Sequence, residues 1–418
     1  MKIRSKLVLS LLTAVLLMGL VVVNADAADK VLKVGIMGPF TGSQAEPGAN
    51  IKNSILMKFQ EVGNKIGDYK LEFVFIDDQG DPAKSANAYA EAIEKGGIQV
   101  GVGGWTTAAT LPVLDLCAKY GVPHFGTQAS TKALTDKILS DPKYKGKIFK
   151  FWSYPAQCVR LYFDFINWAA DNTSWKPAKR TVALSAEETD WGREWIATAK
   201  QLLGEYGWQI VTEDYVQNGQ TDFYPLLTRY KDMGVALVTT TNTAPPSVCG
   251  FIKQMREVNL KSMAIIDGLS WVGDWYAQTG KRSDGVIDMN VKWTPKSKEY
   301  QQKFEKQFAM KPSASSGGLS YDMAGFLVKA LNRTLQKHGK LDKESISEVL
   351  LTEMLTGKLT YSQADGAVIM KEYQFTPQTY PDPVSDANHW FMPVIQYKDG
   401  EAYTIFPLDV KDMDVILP

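Results

Sequence analysis

Cysteine and histidine are both scarce in this chain of 418 residues, which has three of each. Three widely spaced cysteines cannot close a complete disulfide framework, although one pair remains possible. The apolar helical pattern around Cys117 predicts that this thiol is buried in a core. The three histidines are dispersed, which argues against a histidine-based metal site. We therefore expect no bound metal. We also expect a hydrophobic core that is large enough to be stable without a disulfide bond.

The chain also lacks an excess of positive or negative charge, because it has 46 Lys and Arg residues and 46 Asp and Glu residues. No basic field is available to attract nucleic acid or an anionic membrane. We therefore expect neither as a partner. Beyond the N-terminal segment, the sequence also has no second long apolar run.

The motifs of common enzymes are missing as well. The sequence contains no Walker phosphate loop, no serine nucleophile elbow, no zinc-protease HExxH motif and no CxxC pair. Residues 101–104 resemble a dinucleotide fingerprint only weakly, because the third glycine and the helix opening do not fit. Asp77, Asp78 and Asp81 lack the remaining ligands of a calcium loop and are interpreted as a solvated turn. The sequence thus predicts no enzyme activity and no cofactor.

The first thirty residues have the features of a secretory signal. Lys2, Arg4 and Lys6 provide a positive start, and an unbroken apolar run follows at residues 7–23. Small residues then stand at Ala25 and Ala27, the two positions that signal peptidase reads. We predict a signal peptide at residues 1–27. A buried helix or a membrane anchor is the alternative, but a strand pattern follows at once. No cysteine lies near the cleavage site, so we expect a soluble exported protein without a lipid anchor.

Strand and helix patterns alternate along the rest of the chain. Short β-rich runs alternate with apolar residues at helical spacing, and this rhythm restarts after about residue 180. The alternation predicts an α/β fold with two doubly wound, Rossmann-like units, each a mostly parallel sheet with helices on both faces. Ligands of such sheets bind beyond the carboxyl ends of the strands. This rule selects the loops at residues 38–48, 103–107, 126–131, 185–192, 239–246 and 267–271.

Two of these loops have the chemistry of an anion site. Thr106 and Thr107 lie between a predicted strand and a helix, and Gln128 and Ser130 lie at the equivalent place one unit later. Free N–H groups at helix N-termini, together with hydroxyl donors, are able to hold one carboxylate without an arginine. The spacing equally allows a role in helix capping alone.

The second half of the chain offers different groups. Asp267 closes a predicted strand and is suited to pair with a cation, and Trp191 is suited to pack on a cation or an apolar group. Most aromatic residues belong to protein cores, so a core role stays open for the tryptophans. Donors opposite an acid and an aromatic ring suit a zwitterion with an apolar tail, which indicates an amino acid.

Several segments, in this order and spacing, resemble a known family. They lie at residues 34–55, 75–88, 101–130 and 220–223. Through them the chain resembles the extracytoplasmic substrate-binding proteins of bacterial ABC transporters for branched-chain amino acids, the type I periplasmic binding proteins. The resemblance extends from about residue 32 to the final strands.

The resemblance implies two lobes joined by a hinge of three chain crossings, with the ligand in the interlobe cleft. Lobe 1 would comprise residues 30–151 plus 290–388, and lobe 2 residues 152–289 plus 389–418. It further implies a periplasmic, monomeric protein that captures an amino acid by hinge closure and delivers it to an ABC permease. A sensory module on the same fold is an alternative.

The resemblance also assigns roles to residues. Thr107 falls where a Ser or Thr holds the ligand carboxylate, and Gln128 and Ser130 fall where backbone groups and a hydroxyl complete that grip. Trp191 replaces the Tyr or Phe that contacts the ligand from the second lobe, and Asp267 falls where an acid accepts the ammonium. We expect Trp191 and the aromatic segment at residues 151–154 to reshape the side-chain pocket, which favours a branched-chain, other apolar or aromatic amino acid. A non-amino-acid carboxylate and a small amide such as urea stay open as alternatives, because relatives with other ligands share the same scaffold.

Overall fold

The computed structural model of the protein describes residues 30–152, 155–289 and 291–418, without the side chains of residues 157 and 158. The signal peptide predicted at residues 1–27 lies outside the described residues. Within those ranges, no helix has both the length and the apolar character needed to cross a membrane.

Strands and helices alternate as expected along most of the chain. The strands are β1 (Lys30–Gly38), β2 (Lys65–Ile66), β3 (Tyr69–Asp77), β4 (Val100–Gly103), β5 (His124–Thr127), β6 (Ile148–Lys150), β7 (Thr181–Glu187), β8 (Gln209–Val216), β9 (Leu237–Thr241), β10 (Met263–Asp267), β11 (Ile287–Met289), β12 (Tyr361–Ser362), β13 (Glu372–Tyr373), β14 (Val394–Lys398) and β15 (Glu401–Phe406). The helices are α1 (Ala45–Glu61), α2 (Pro82–Glu94), α3 (Thr107–Tyr120), α4 (Lys132–Ser140), α5 (Pro155–Asn172), α6 (Asp190–Glu205), α7 (Tyr224–Asp232), α8 (Pro245–Glu257), α9 (Trp275–Thr279), α10 (Ser297–Phe308), α11 (Ser320–His338) and α12 (Lys343–Val349).

The strands form two main sheets. The first has the order β2-β3-β1-β4-β5-β6 and is parallel except at the short edge strand β2. The second has the order β15-β14-β11-β10-β9-β7-β8, in which β14 alone runs opposite to the other strands and so pairs antiparallel with both β11 and β15. Central strands such as β4, β9 and β10 are buried along their whole length, as parallel strands covered on both faces must be. The predicted architecture of two α/β units is confirmed.

The chain passes between the two sheets three times. It leaves the first sheet after β6 and builds α5 and the strands β7 to β11 of the second. It then returns for helices α10 to α12, of which α11 packs on α1, and enters the second sheet again for β14 and β15. Each sheet therefore contains segments that are distant in sequence, which is why neither unit is one continuous stretch of chain.

Two of the cysteines and one of the histidines lie in the cores. Cys117 and Cys249 are buried free thiols, so the prediction of a core position for Cys117 is confirmed. His124 is also fully buried, where its ring contacts the Tyr89 hydroxyl and the Gly103 carbonyl. Burial lowers the pKa of His124 to about 4, which keeps the ring neutral at physiological pH.

The turn after β3 is less solvated than the sequence suggested. Asp81 caps α2 by accepting a hydrogen bond from the Lys84 backbone, but Asp78 is fully buried and accepts one from the Gly80 N–H at 2.8 Å. Burial raises the pKa of Asp78 to about 7. The interpretation of a wholly solvated turn is therefore wrong for Asp78. Among the described residues, His, Cys, Asp and Glu side chains form no group of three able to hold a metal ion.

Gly325 in α11 gives a stability prediction that tests the packing of this helix. A Cβ atom at Gly325 would lie 2.1 Å from the Tyr361 hydroxyl. We expect Gly325→Ala to lower the free energy of unfolding by about 1–3 kcal/mol, the usual cost of overpacking a core.

Gly204 in α6 is the matched control, because nothing lies within 4 Å of its Cβ position. There we expect Gly204→Ala to stabilise by roughly 0.5–1 kcal/mol through helix propensity. Urea unfolding measures the stability of both variants, and an equal gain in stability in both would contradict the contact between Gly325 and Tyr361.

Candidate ligand-binding site

A cavity of about 410 Å³ lies between the two sheets. Its walls come from the loops that follow the strands of both sheets, where doubly wound folds bind their ligands. From the first sheet come Gln44, Gln79, Gly80, Trp105, Thr106, Thr107, Ala108, Gln128, Ser130 and Trp152. From the second come Glu187, Glu188, Thr189, Asp190, Trp191, Asn218, Thr243 and Trp271.

The N-terminus of α3 forms the donor-rich part of the first wall. Thr106 is the N-cap residue, and its hydroxyl accepts a hydrogen bond from the Ala109 N–H at 3.4 Å. Thr107 is buried, and its hydroxyl oxygen accepts a hydrogen bond from the Thr131 N–H at 3.3 Å. The hydroxyl hydrogen is then available for donation to another acceptor. The first-turn N–H groups have no acceptor within the helix, and the helix dipole is positive here. Capping and anion binding are thus compatible at this wall.

Gln128 and Ser130 lie beside that helix end. The Gln128 N–H donates to the Gly104 carbonyl at 3.1 Å, and its side-chain Nε2 donates to the Ser320 hydroxyl at 3.1 Å. The backbone N–H of Gln128 is therefore engaged with Gly104. Ser130 is buried and lines the cavity. Gln128 connects this wall to the start of α11.

Trp191 and Asp267 occupy different depths on the opposite side. Trp191 lines the cavity, and its indole Nε1 donates to the Thr241 hydroxyl at 2.8 Å. Asp267 is buried behind it and is absent from the cavity lining; its Oδ2 accepts from the Thr241 hydroxyl at 2.6 Å. The structure therefore brings Thr106, Thr107, Gln128, Ser130 and Trp191 together at the cavity and leaves Asp267 outside it.

The buried acid that does line the cavity is Glu187, the last residue of β7. Its carboxylate accepts hydrogen bonds from the Thr243 N–H at 2.7 Å, the Asn218 amide at 3.0 Å and the Thr189 hydroxyl at 3.1 Å. Burial raises the pKa of Glu187, while these donors act against that rise. Glu187 thus presents a fixed acidic group at the wall facing α3.

The sequence contained part of this signal. Glu187 lies in the loop at residues 185–192 and Thr243 in the loop at residues 239–246, both of which the strand-end rule selected. Glu188 and Asp190 stand in the same short stretch, and both are exposed. Only the fold distinguishes the one buried acid from its two exposed neighbours.

Tryptophans form the apolar part of the cavity. Trp271 meets Trp105 edge to face, with ring centroids 5.5 Å apart and planes at 88°. It meets Trp152 in the same manner at 6.5 Å and 73°. Together with Trp191 they give the cavity an aromatic surface of the kind that binds flat or bulky apolar groups.

Hydrogen bonds cross the cleft around this cavity. The Gln44 amide donates to the Thr243 hydroxyl at 2.6 Å. Farther out, the Lys132 N–H at the start of α4 donates to Glu194 of α6 at 2.7 Å. These contacts join segments that belong to different sheets, so the two units lie close together over the cavity.

The sequence at residues 31–378 matches the family described as "Periplasmic binding protein". The chain belongs to this family. Members of this family are non-enzymatic solute binders, which agrees with the prediction of no enzyme activity. The recognition and the fold class inferred from the sequence are confirmed.

Individual proteins resemble the chain in sequence or in fold. The chain is 29% identical over 243 residues to "Leu/Ile/Val-binding protein homolog 6" of Brucella suis, an alignment that spans 58% of each chain. A solute-binding protein of an ABC transporter from Rhodopseudomonas palustris, solved with 3,4-dihydroxybenzoic acid, shares the fold with a TM-score of 0.72 at 23% identity. That match covers 92% of this chain and 98% of the other. A branched-chain amino acid binding protein from Streptococcus pneumoniae, solved with isoleucine, has a TM-score of 0.67 at 16% identity, covering 89% and 98%.

Proposed function

We propose that this periplasmic binding protein captures an amino acid with an apolar or aromatic side chain and delivers it to an ABC permease. The observation that supports this best is the polarity of the cavity. Hydrogen-bond donors at the start of α3 form one wall, and the buried acid Glu187 forms the opposite wall. A zwitterion satisfies both walls at once, since each charged end meets a group of opposite character.

The space between the two walls suits the rest of such a ligand. A volume of about 410 Å³ falls in the range of small-molecule sites, and four tryptophans supply apolar surface. Burial of an aliphatic or aromatic side chain there contributes binding free energy roughly in proportion to the apolar area removed from water. The tryptophans therefore favour a large apolar side chain over a small polar one.

An aromatic carboxylate without an ammonium group is the second candidate. The aromatic lining supports it, and so does the Rhodopseudomonas neighbour with its dihydroxybenzoate. The buried Glu187 has a raised pKa, and in its protonated form it is able to donate a hydrogen bond to a ligand hydroxyl or carboxylate. The two candidates thus differ in what Glu187 does.

The proposal includes the setting in which capture takes place. Residues 1–27 would direct export to the periplasm, where the mature chain acts as a monomer. Lobe 1, residues 30–151 plus 290–388, would close on lobe 2, residues 152–289 plus 389–418, by rotation about the three crossings. A solute favours closure only by the difference between its affinities for the closed and open forms.

A thermal-shift panel tests the proposal directly. The mature protein is unfolded and refolded to remove any retained solute, then mixed with the twenty amino acids, benzoate, hydroxybenzoates, short amides and urea. A solute that binds only the native state raises the melting temperature according to its concentration over Kd. A shift with leucine, valine or phenylalanine supports the amino-acid site. A shift with benzoates alone replaces it by the second candidate, and a shift with urea alone contradicts both.

Thr107 gives the first mutational prediction for this site. We expect Thr107→Val to weaken the solute identified by the panel by roughly 10–100-fold, since a hydrogen bond to a charged group is worth about 1.5–3 kcal/mol. Thr107→Ser keeps the hydroxyl and is expected to stay within about threefold, because only a methyl group is lost. Isothermal titration calorimetry measures both variants. Near-normal affinity in Thr107→Val would leave Thr107 with a purely structural role.

A further inference from the structure

A buried chain of hydrogen bonds begins at Trp191 and runs away from the cavity. The indole Nε1 lies 2.8 Å from the Thr241 hydroxyl, which in turn lies 2.6 Å from Asp267 Oδ2. An indole N–H is only a donor, so the Thr241 oxygen accepts from Trp191 and its own hydrogen goes to Asp267. The direction of each bond is thereby fixed.

Behind Asp267 one phenol bridges two carboxyl groups. The Tyr162 hydroxyl lies 3.0 Å from Asp267 Oδ1 and 3.1 Å from Asp288 Oδ1. A phenol has one hydrogen and cannot donate to both oxygens. All three side chains are buried, where two neighbouring carboxylates cannot readily both be ionised. The bridge is therefore complete only when one of the two carboxyl groups holds a proton.

The surrounding donors indicate which carboxyl group that is. Asp288 accepts the N–H groups of Met289 at 2.8 Å and Ser270 at 2.9 Å, and the Tyr397 hydroxyl at 2.9 Å. Such donors stabilise an anion. The described contacts of the Asp267 carboxyl are the hydroxyl groups of Thr241 and Tyr162, and none is a backbone N–H. The proton therefore belongs on Asp267 Oδ1, from which it is donated to the Tyr162 oxygen while Tyr162 donates to Asp288.

We propose that Asp267 is a positioning residue, which as the protonated acid joins Trp191, through Thr241 and Tyr162, to Asp288 and so fixes the indole at the ligand cavity. The proposal rests on the proposed function, because it takes that cavity as the ligand site. Asp288 also accepts the N–H of Ser270, the residue before Trp271. One buried network therefore orients two tryptophans of the cavity, and Asp267 has a role other than accepting the ammonium.

The titratable groups around Asp267 are all acids. Asp288 on β11, Glu187 on β7 and Tyr162 on α5 face it, and Tyr397 on β14 contacts Asp288. Burial, followed by the charge of Asp288, raises the pKa of Asp267 to about 8. Loss of the proton in mildly alkaline solution would then break the bond from Asp267 to Tyr162.

The indole resonance of Trp191 in ¹⁵N-labelled full-length mature protein tests this network without any ligand. The signal is assigned with Trp191→Phe and followed across pH. In the wild type we expect it to shift between neutral and mildly alkaline pH, as Asp267 loses its proton. We expect no shift in Asp267→Asn, whose amide imitates the protonated acid. The Trp191 indole signal of Glu187→Gln should still shift with pH, which would exclude Glu187 as the source of that shift.

Thr241 supplies a second pair of variants if Asp267→Asn fails to fold. Thr241→Val breaks the bond to Trp191 and should abolish the titration, whereas Thr241→Ser keeps the hydroxyl and should retain it. A wild-type signal that does not move, or one that titrates equally in Thr241→Val, overturns the proposal.

Binding measurements separate this inference from the proposed function. L-phenylalanine and benzoate are the probes, each measured at about pH 7 and about pH 9, on either side of the raised pKa. We expect the affinity of the wild type to fall about tenfold more between pH 7 and pH 9 than the affinity of Asp267→Asn does. If Asp267 instead held the ammonium, Asp267→Asn would lose phenylalanine binding at both pH values and the positioning role would be wrong. If neither probe binds, the proposed function fails, while the indole titration still decides the network.

Discussion

Glu187→Gln is expected to weaken amino-acid binding by at least about a hundredfold, the largest effect of any single change at the cavity. Glu187 is buried; its Oε2 accepts from the Thr243 N–H and the Asn218 amide, and its Oε1 accepts from the Thr189 hydroxyl. An ammonium buried beside a neutral amide loses its counter-charge, and an unpaired buried charge costs several kcal/mol. The loss should appear in Kd from calorimetry, with the melting temperature of the free protein showing that the variant is folded.

Glu188→Gln is the matched control for that experiment. Glu188 also lines the cavity, but it is exposed and pairs with Arg193. We expect the affinity of Glu188→Gln for the amino acid to stay within about threefold of the wild-type value, because exposed ion pairs contribute at most about 1 kcal/mol. Equal losses in both variants would indicate a general effect of negative charge. Undiminished amino-acid binding in Glu187→Gln would remove Glu187 from the ammonium site.

Asp322→Ala is expected to lower the free energy of unfolding by about 3–5 kcal/mol, because each buried donor left without an acceptor costs about 1–3 kcal/mol. Asp322 lies fully buried in the first turn of α11. It accepts the N–H groups of Val368 at 2.8 Å and Ile369 at 3.0 Å, and the Tyr373 hydroxyl at 2.7 Å. Alanine leaves all three donors buried without an acceptor. Urea unfolding measures the loss, and a change below about 1 kcal/mol would contradict this network.

Asp322→Asn separates the loss of charge from the loss of the acceptor. It keeps one acceptor oxygen, so we expect a smaller loss than in Asp322→Ala. Burial raises the pKa of Asp322 to about 7, above its ordinary value of 3.8. The native state therefore binds this proton more tightly than the unfolded state, and the stability that it contributes is lost as pH rises from about 4 to about 7. Asp322→Asn should lack that part of the pH dependence.

Strand length affected which elements could be predicted from the sequence. Strands β1 and β3 are nine residues long, and their apolar runs stand out against the flanking turns. Strands β6 and β11 have only three residues each and no periodicity to recognise. The second sheet incorporates β11 because β10 and β14 flank it, and that pairing is a property of the whole fold.

The site was predictable to the extent that it follows from strand ends. Thr107, Ser130 and Trp191 line the cavity because each belongs to a loop or helix start that follows a strand. The same rule selected Asp267, but Asp267 is the last residue of its strand and remains within the sheet. Glu187 also ends its strand and yet lines the cavity. Which strand-end residue reaches the cavity depends on neighbouring loops, which local sequence does not determine.

The tryptophan pairs of the cavity have a consequence for observing the molecule in solution. Trp105 and Trp152 follow strands of the first sheet, whereas Trp271 follows a strand of the second. The edge-to-face contacts of Trp271 with Trp105 and Trp152 therefore bridge the cleft. Separation of the two sheets pulls these indoles apart and changes their excitonic coupling. Near-ultraviolet circular dichroism of the unlabelled protein would consequently report any change in the separation of the two sheets.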